Sequence, residues 1–154
     1  MFNLTVSEAH TYYVGQDGWL VHNTGPCNPV LIDTDAVINY KQLLATGRLK
    51  AGETPVITEA TVAELNKLVA QGKISGLPKY LNEFQVISNS TNVNTRINVR
   101  GMQQQITASN GAKVKGTLFG DGVNGATALD MQLPFITNDK LLRNAVGTMG
   151  GVTR

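Results

Sequence analysis

Cysteine is almost absent: Cys27 stands alone in 154 residues. That excludes an intrachain disulfide framework and a cysteine-rich zinc site, and leaves the redox compartment open. Histidine is nearly as scarce, with His10 and His22 only. Long apolar runs are missing too. Nothing approaches the ~20 consecutive apolar residues that span a bilayer, so no membrane segment is expected. The opening MFNLTVSEAH lacks the basic region, apolar stretch and small-residue cleavage site of a signal peptide, so any export is expected to depend on something upstream. Charge is sparse at 16% and unevenly spread. Residues 1–23 hold Glu8 and Asp17 with no Lys or Arg, so all thirteen basic side chains lie beyond them, against nine of the eleven acidic ones. This mild basic excess suits a polyanion as readily as an ordinary solvated surface.

What remains is the composition of a soluble globular chain, 42% hydrophobic and long enough for one domain of ordinary size. The first 23 residues alternate as strands do. Phe2, Leu4 and Val6 share one face; Thr11-Tyr12-Tyr13-Val14 and Trp19-Leu20-Val21-His22 flank a turn at Gly15-Gln16-Asp17-Gly18. A stretch rich in turn formers, residues 24–28, marks a linker before a second unit covering 29–154.

In that second unit short apolar runs alternate with helical periodicity. Pro29-Val30-Leu31-Ile32 reads as a buried strand that ends in Asp33; residues 36–45 repeat apolar positions at a helical spacing up to Gly47. Thr54-Pro55-Val56-Ile57 is a second strand. The helix after it carries Val62, Leu65, Leu68 and Val69 on one face, with Gly72 beyond its end. Phe84-Gln85-Val86-Ile87 makes a third strand. A helix from about Gly122 to Met131, a strand from Leu133 to Thr137 and a short helix near Asp139 complete the pattern. Residues 88–118, rich in Asn, Thr and Gln, admit helix, hairpin or loop. The β-α-β-α rhythm predicts an α/β/α sandwich around a mainly parallel sheet.

Four carboxylates occupy equivalent places in this scheme: Asp33 after a strand, Glu64 in the first turn of a helix, Asp121 at a helix start and Asp139 after a strand. Strand C-termini and the helix N-termini that follow share the edge of an open parallel sheet where ligands bind. Converging carboxylates repel unless a divalent cation neutralises them, and an all-oxygen set suits Mg2+ or Mn2+. Such an ion activates water and stabilises charge on a phosphate, which makes phosphodiester hydrolysis the natural reaction. Each acid also has a plainer reading through capping: Thr61-x-x-Glu64 fits a capping box, and Asp121 and Asp35 fit N-caps. Asp33 is hardest to explain in that way.

Val30-Leu31-Ile32-Asp33-Thr34-Asp35, Thr61-Val62-Ala63-Glu64-Leu65, Asp121 through Leu129 and Leu133 through Lys140 resemble, in order, the four acidic motifs of the PIN nuclease family. The resemblance covers roughly residues 29–145. It implies an Mg2+- or Mn2+-dependent endoribonuclease, with metal-binding and catalytic roles for Asp33, Glu64, Asp121 and Asp139. Thr137 falls where the family often has a hydroxyl near the metal, and Asp35 takes a supporting part. The chain departs from the family pattern in residues 88–118, and Gly122 and Gly125, with Asn124 between them, make its third motif unusually rich in glycine. Arg96, Arg100, Lys113 and Lys115 are the candidates for contacts to RNA phosphates. A PIN-like fold that binds RNA or a protein without catalysis, and a deoxyribonuclease, are the alternatives.

The front segment, Asn3 through Val6, His10 through Gly15 and Leu20-Val21-His22-Asn23, resembles the last strands of a HINT domain, a self-cleaving module related to inteins. By that resemblance Asn23 cyclises on its own carbonyl with His22 assisting and His10 as a helper. A nuclease behind such a module resembles the payload of a bacterial polymorphic toxin. That implies a larger secreted or surface protein, action in the cytoplasm of a target cell, and a cognate immunity protein that blocks the active site.

Overall fold

The computed structural model describes residues 11–14, 19–22, 28–109 and 121–154. Two short strands come first: β1 (Thr11–Val14) pairs antiparallel with β2 (Trp19–His22), Thr11 opposite His22 and Val14 opposite Trp19. The pairing expected of these two segments is present. The Phe2–Val6 stretch, His10, the turn at 15–18, Asn23 and most of the linker lie outside the described residues.

A second sheet is built from β3 (Pro29–Ile32), β4 (Thr54–Thr58), β5 (Gln85–Ile87) and β6 (Phe135–Ile136), in the order β5-β4-β3-β6 and parallel throughout. The chain steps outward from β3 to β4 and β5, then returns to the other side of β3 to lay down β6. Strand order therefore reverses at β3, and the crevice beyond its C-terminal end is where a fold of this kind takes its ligand. The predicted strand at Leu133–Thr137 is shorter than expected. The end of the chain extends the sheet past β6: the Phe135 amide donates to Val152 O at 2.8 Å and Arg154 N donates to Phe135 O at 2.9 Å.

The pleat of the sheet sorts its side chains into two cores. Val30, Ile32, Ile57 and Ile136 face α1 (Thr34–Ile38), α2 (Tyr40–Ala45) and α3 (Glu59–Ala70), where they meet Val37, Tyr40, Leu43 and Leu65. Leu31, Val56 and Phe135 face the other way, against α4 (Val93–Ser109), α5 (Asp121–Asp130) and α6 (Lys140–Thr148), where they meet Val99, Ala128, Leu142 and Val146. Burial on both faces is what lets the strands be nearly all apolar. The expected three-layer α/β/α sandwich is the observed architecture.

Local chemistry sets the helix ends. The single helix expected over 36–45 is divided at Asn39, whose side-chain amide donates to Asp35 O at 2.9 Å, the competition with helical bonding that disfavours Asn inside helices. Helix α3 closes in a Schellman turn: Lys73 N bonds Leu68 O, Gly72 N bonds Val69 O (both 2.9 Å), and Gly72 takes the left-handed φ of 66°. The undecided stretch after β5 contains the long helix α4, opened by Asn92, whose Oδ1 accepts from Thr95 N at 3.2 Å. No helix among the described residues is long and apolar enough to cross a membrane.

The excess of glycine in the third motif has a packing cause at Gly125. A Cβ there would stand 2.9 Å from Val146 Cγ2, and 3.2 Å from both Leu142 Cδ1 and Val99 Cγ1. Helices α4, α5 and α6 meet at this point, and only a residue without a side chain lets α5 lie between them.

Candidate functional site

Asp33 is the first residue past β3 and occupies the N-cap position of α1, with φ −76° and ψ 159°. Its side chain nevertheless makes no capping bond. Both oxygens are turned elsewhere: Oδ1 accepts from Asn124 Nδ2 at 2.8 Å and Oδ2 from the Thr137 hydroxyl at 2.9 Å. Only 5% of Asp33 is exposed. Burial pushes its pKa up; Asn124, Thr137 and the Thr34 amide pull it down, the negative charge of Glu64 pushes it up again, and the net shift is upward. A carboxyl held against its own desolvation and against a second acid is a position that local folding does not call for.

Glu64 is the sixth residue of α3, not part of its first turn, and the expected capping box does not form. Thr58 is the N-cap instead, its hydroxyl accepting from Thr61 N at 3.0 Å. Thr61 is thereby drawn into the helix and fully buried, and Glu64 is carried a turn further along, where Thr34 Oγ1 donates to its Oε2 at 2.7 Å. That bond ties α3 to the residue next to Asp33.

Asp139 combines its two readings. Its Oδ1 caps α6, accepting from Leu141 N at 2.7 Å and Leu142 N at 3.1 Å, while its own amide donates to Thr137 Oγ1 at 3.0 Å. The Thr137 hydroxyl thus bridges Asp33 and Asp139, and it is completely buried. Asp35 is exposed in the first turn of α1 rather than capping it, with Oδ1 accepting from Asn39 Nδ2 at 3.3 Å.

Asp33, Asp35, Glu64 and Asp139 line one open cleft of about 370 Å³, walled by Ile38 and Leu68. A hollow of about 420 Å³ at the opposite end of the strands has one acid, Glu53, which is already paired with Arg154 at 2.8 Å. Asp121 is the first residue of α5, one turn before Asn124, and its side chain lies outside the described residues. Arg96 and Arg100 sit half-buried on α4 and are not among the residues that line the cleft; the Arg96 carbonyl is 3.7 Å from where a Cβ on Gly122 would be. Lys113 and Lys115 lie outside the described residues, as does Asn23, and His22 is described only as the last residue of β2.

The donors are carboxylate oxygens, the hard ligands that Mg2+ or Mn2+ prefers. Among the described residues no group of three acids is gathered closely enough to hold an ion by itself. The donor chemistry of Asp33, Glu64 and Asp139 in one cleft fits a hard divalent ion, and the described residues do not by themselves close a coordination shell around it.

Sequence reasoning assigned no role to Asn124 or Arg48. Asn124 is 1% exposed; besides holding Asp33, its Nδ2 donates to Thr61 Oγ1 at 3.1 Å and its Oδ1 accepts from Thr58 Oγ1 at 2.5 Å. A polar residue amid the apolar positions of a buried helix was the available signal. Arg48 fixes the turn after β6, donating through Nη1 to Asn138 Oδ1 at 2.6 Å and through Nη2 to Thr137 O at 2.7 Å and to Arg154 O. Lying far from the motifs in sequence, it gave no signal.

No family model and no curated protein matches the chain. Solved structures do resemble it. The PIN domain endonuclease Utp24 is 22% identical, covering 86% of this chain and 89% of its own, with a TM-score of 0.51. A domain of a functionally unknown protein from Methanocaldococcus jannaschii is 21% identical over 82% of this chain and 89% of its own, TM-score 0.53. VapBC-1 from nontypeable Haemophilus influenzae is 15% identical over 82% of this chain and 96% of its own, TM-score 0.52. At these identities the likeness is one of fold, and the α/β/α unit from Pro29 onward has a PIN-like fold.

Proposed function

We propose that the chain is a metal-dependent endoribonuclease whose catalytic and metal-binding residues are Asp33, Glu64, Asp121 and Asp139, with Thr137 and Asp35 in support. The observation that carries this reading is Asp33: a buried carboxylate at the point where strand order reverses, turned away from the helix it begins and facing Glu64 and Asp139 across one cleft. Asn124 and Thr137 each engage one oxygen of Asp33 and so fix the plane of the carboxyl group. Thr34 holds Glu64 through Oε2, and among the described residues nothing bonds Oε1. Asp139 is made rigid by its capping bonds through Oδ1, with Oδ2 left for the cleft. Asp33, Glu64 and Asp139 would hold Mg2+ or Mn2+, with Asp121 completing the set. When bound, such an ion supplies an activated water and neutralises charge on the reacting phosphate.

The wider setting belongs to the same proposal. Residues 1–23 are the end of a HINT module, a reading that rests on their resemblance to its last strands; within them β1 pairs antiparallel with β2, His22 opposite Thr11. His22 and Asn23 form its cleavage point. The nuclease is then the payload of a polymorphic toxin, part of a larger secreted or cell-surface protein. It acts on RNA in the cytoplasm of the target cell, and a cognate immunity protein restrains it.

The test is incubation of the full chain with total RNA and with DNA in Mg2+, Mn2+ or EDTA, beside an Asp33→Asn, Asp139→Asn double variant. Metal-dependent loss of RNA alone, absent from the folded variant, is the expected result. Equal behaviour of the two proteins, with RNA or a protein partner still bound, replaces catalysis with a binding role, and cleavage of DNA in preference to RNA makes the chain a deoxyribonuclease.

A further inference from the structure

The turn from β6 to α6, residues 137–139, supplies both the hydroxyl that reaches Asp33 and the acid that shares its cleft. Thr137 Oγ1 donates to Asp33 Oδ2 at 2.9 Å and accepts from Asp139 N at 3.0 Å. The sheet itself does not hold this turn. Strand β6 is two residues long, and its bond to the far side of β3, Asp33 N to Ile136 O at 3.0 Å, falls one residue short of Thr137.

What meets the turn from outside is Arg48. Helix α2 ends at Ala45, Gly47 turns the chain at a left-handed φ of 65°, and Arg48 follows it, half-buried. Its Nη2 spends both hydrogens, on Thr137 O at 2.7 Å and on the backbone oxygen of Arg154, while Nη1 donates to Asn138 Oδ1 at 2.6 Å. Two consecutive residues of the turn are thus gripped by one planar fork, whose N–H groups keep fixed angles to one another; a single ammonium has no such geometry. Arg48 is braced in its turn. Arg154 Nη1 donates to Arg48 O at 3.2 Å, and Glu53 holds the Arg154 guanidinium by two bonds of 2.8 Å. Neither neighbouring element needs this grip to form, since β6 is paired with β3 and α6 is capped by its own Asp139. The bonds of Arg48 fix only the piece between them.

We propose that Arg48 is a positioning residue for the ribonuclease reaction, its guanidinium setting the turn that brings the Thr137 hydroxyl and Asp139 to Asp33. Arg48 is not among the residues that line the cleft, and it acts through Thr137 and Asp139. The inference rests on the nuclease reading of that cleft. It matters because a displacement of about 1 Å in a catalytic group can cost about 100-fold in rate.

Arg48→Met, which keeps the stem and removes the fork, and Arg48→Lys, which keeps the charge and loses the fork, test it in the full chain. Both should fold: Asn138 is exposed, and a hollow of about 160 Å³ beside Arg48 and Asn138 admits water to the freed acceptors. Mn2+ affinity is measured without RNA, from the loss of the free ion's electron paramagnetic resonance signal. Cleavage of a fluorogenic single-stranded RNA in saturating Mn2+ then gives kcat and KM separately. Arg48→Met is expected to bind Mn2+ about tenfold more weakly, as when an outer support of a metal site is lost. Its kcat should fall by about 10–100-fold with KM unchanged. Arg48→Lys should behave like Arg48→Met. A lysine variant equal to wild type means that charge and not the fork matters, and overturns the proposal. So does a change confined to KM, which makes Arg48 a substrate contact, and so do variants that lose only thermal stability. Wild-type protein whose Mn2+ affinity depends on Arg48 but which never cuts RNA overturns the nuclease and leaves the positioning of the carboxylates standing. Wild type that binds no Mn2+ overturns both.

Discussion

Asn124 reaches across 91 residues of sequence to place its side-chain amide 2.8 Å from Asp33 Oδ1, while its carbonyl oxygen takes the Thr58 hydroxyl at 2.5 Å. One buried amide thus links the ends of β3 and β4 to α5, and the acid at the centre of the cleft depends on it for orientation. Asn124→Leu, which keeps the volume and removes the polar groups, orphans Asp33 Oδ1 in the interior. Thr58 and Thr61 then have only each other, at 3.3 Å. The cost of one such unsatisfied group is about 1–3 kcal/mol, to be read as a lower urea midpoint with an unchanged m-value. Asn124→Asp sets a second negative charge against Asp33 and is expected to be the worse of the two.

The crossing of three helices at Gly125 makes a second prediction. Gly125→Ala drives a methyl to 2.9 Å from Val146 Cγ2, and overpacking of this sort costs about 1–3 kcal/mol. Val146→Ala in the same chain should return part of that loss. Gly101, inside α4 with open space around the place a Cβ would take, is the control: Gly101→Ala should stabilise by about 0.5–1 kcal/mol through helix propensity alone. Thermal melts of the four proteins decide it, and equal melting of Gly125→Ala and wild type would contradict the packing argument.

These cases show what the sequence made legible. Asp33 and Asp139 could be placed because an apolar strand ending in an acid fixes both the element and the edge it points to, and the structure sets both at the C-terminal edge of the sheet. Helix α4 could not, since its buried stripe is Val99, Gln103 and Thr107 at a spacing of four, two of them polar, while Val93 and Ile97 are exposed. Periodicity of apolar residues has nothing to report there. The register of Glu64 was missed because Thr58 and Thr61 are both good caps, and the choice between them is made by tertiary contacts: the Thr58 hydroxyl also meets Asn124. Arg48 and Asn124 act between elements far apart in sequence, which no local pattern records.

Acid should weaken the chain through Glu53. Its carboxylate holds Arg154 by two bonds of 2.8 Å, and these bonds pull its pKa below the ordinary value of 4.5. A depressed pKa means that the unfolded state binds the proton more readily, so this contribution is fully present above the unfolded value and disappears as pH falls through the folded one. Arg154 stays charged across that range. Comparing wild type with Glu53→Gln by urea unfolding from neutral pH down to about pH 3 should show a gap that is constant near neutrality and closes in acid. A gap independent of pH would show that the pair contributes through packing rather than charge.

Asp33 itself should trade stability for the capacity to bind an ion. Its carboxylate is buried, opposed by Glu64, and excused from capping, so in EDTA it costs the fold more than a neutral amide would. Asp33→Asn keeps the shape, and Thr137 can turn its hydroxyl to accept from the new amide. The variant is expected to melt above wild type in EDTA, by about 0.5–2 kcal/mol, the usual yield when a strained functional group is relieved. Adding Mg2+ should reverse the order, since a ligand bound only by the folded state at 100 times its Kd stabilises by about 2.7 kcal/mol. Melting curves of both proteins with and without the ion separate the two effects. A wild type indifferent to Mg2+ and Mn2+, and no more fragile than Asp33→Asn in EDTA, would mean that the carboxylate is structural and that the cleft does not hold a metal.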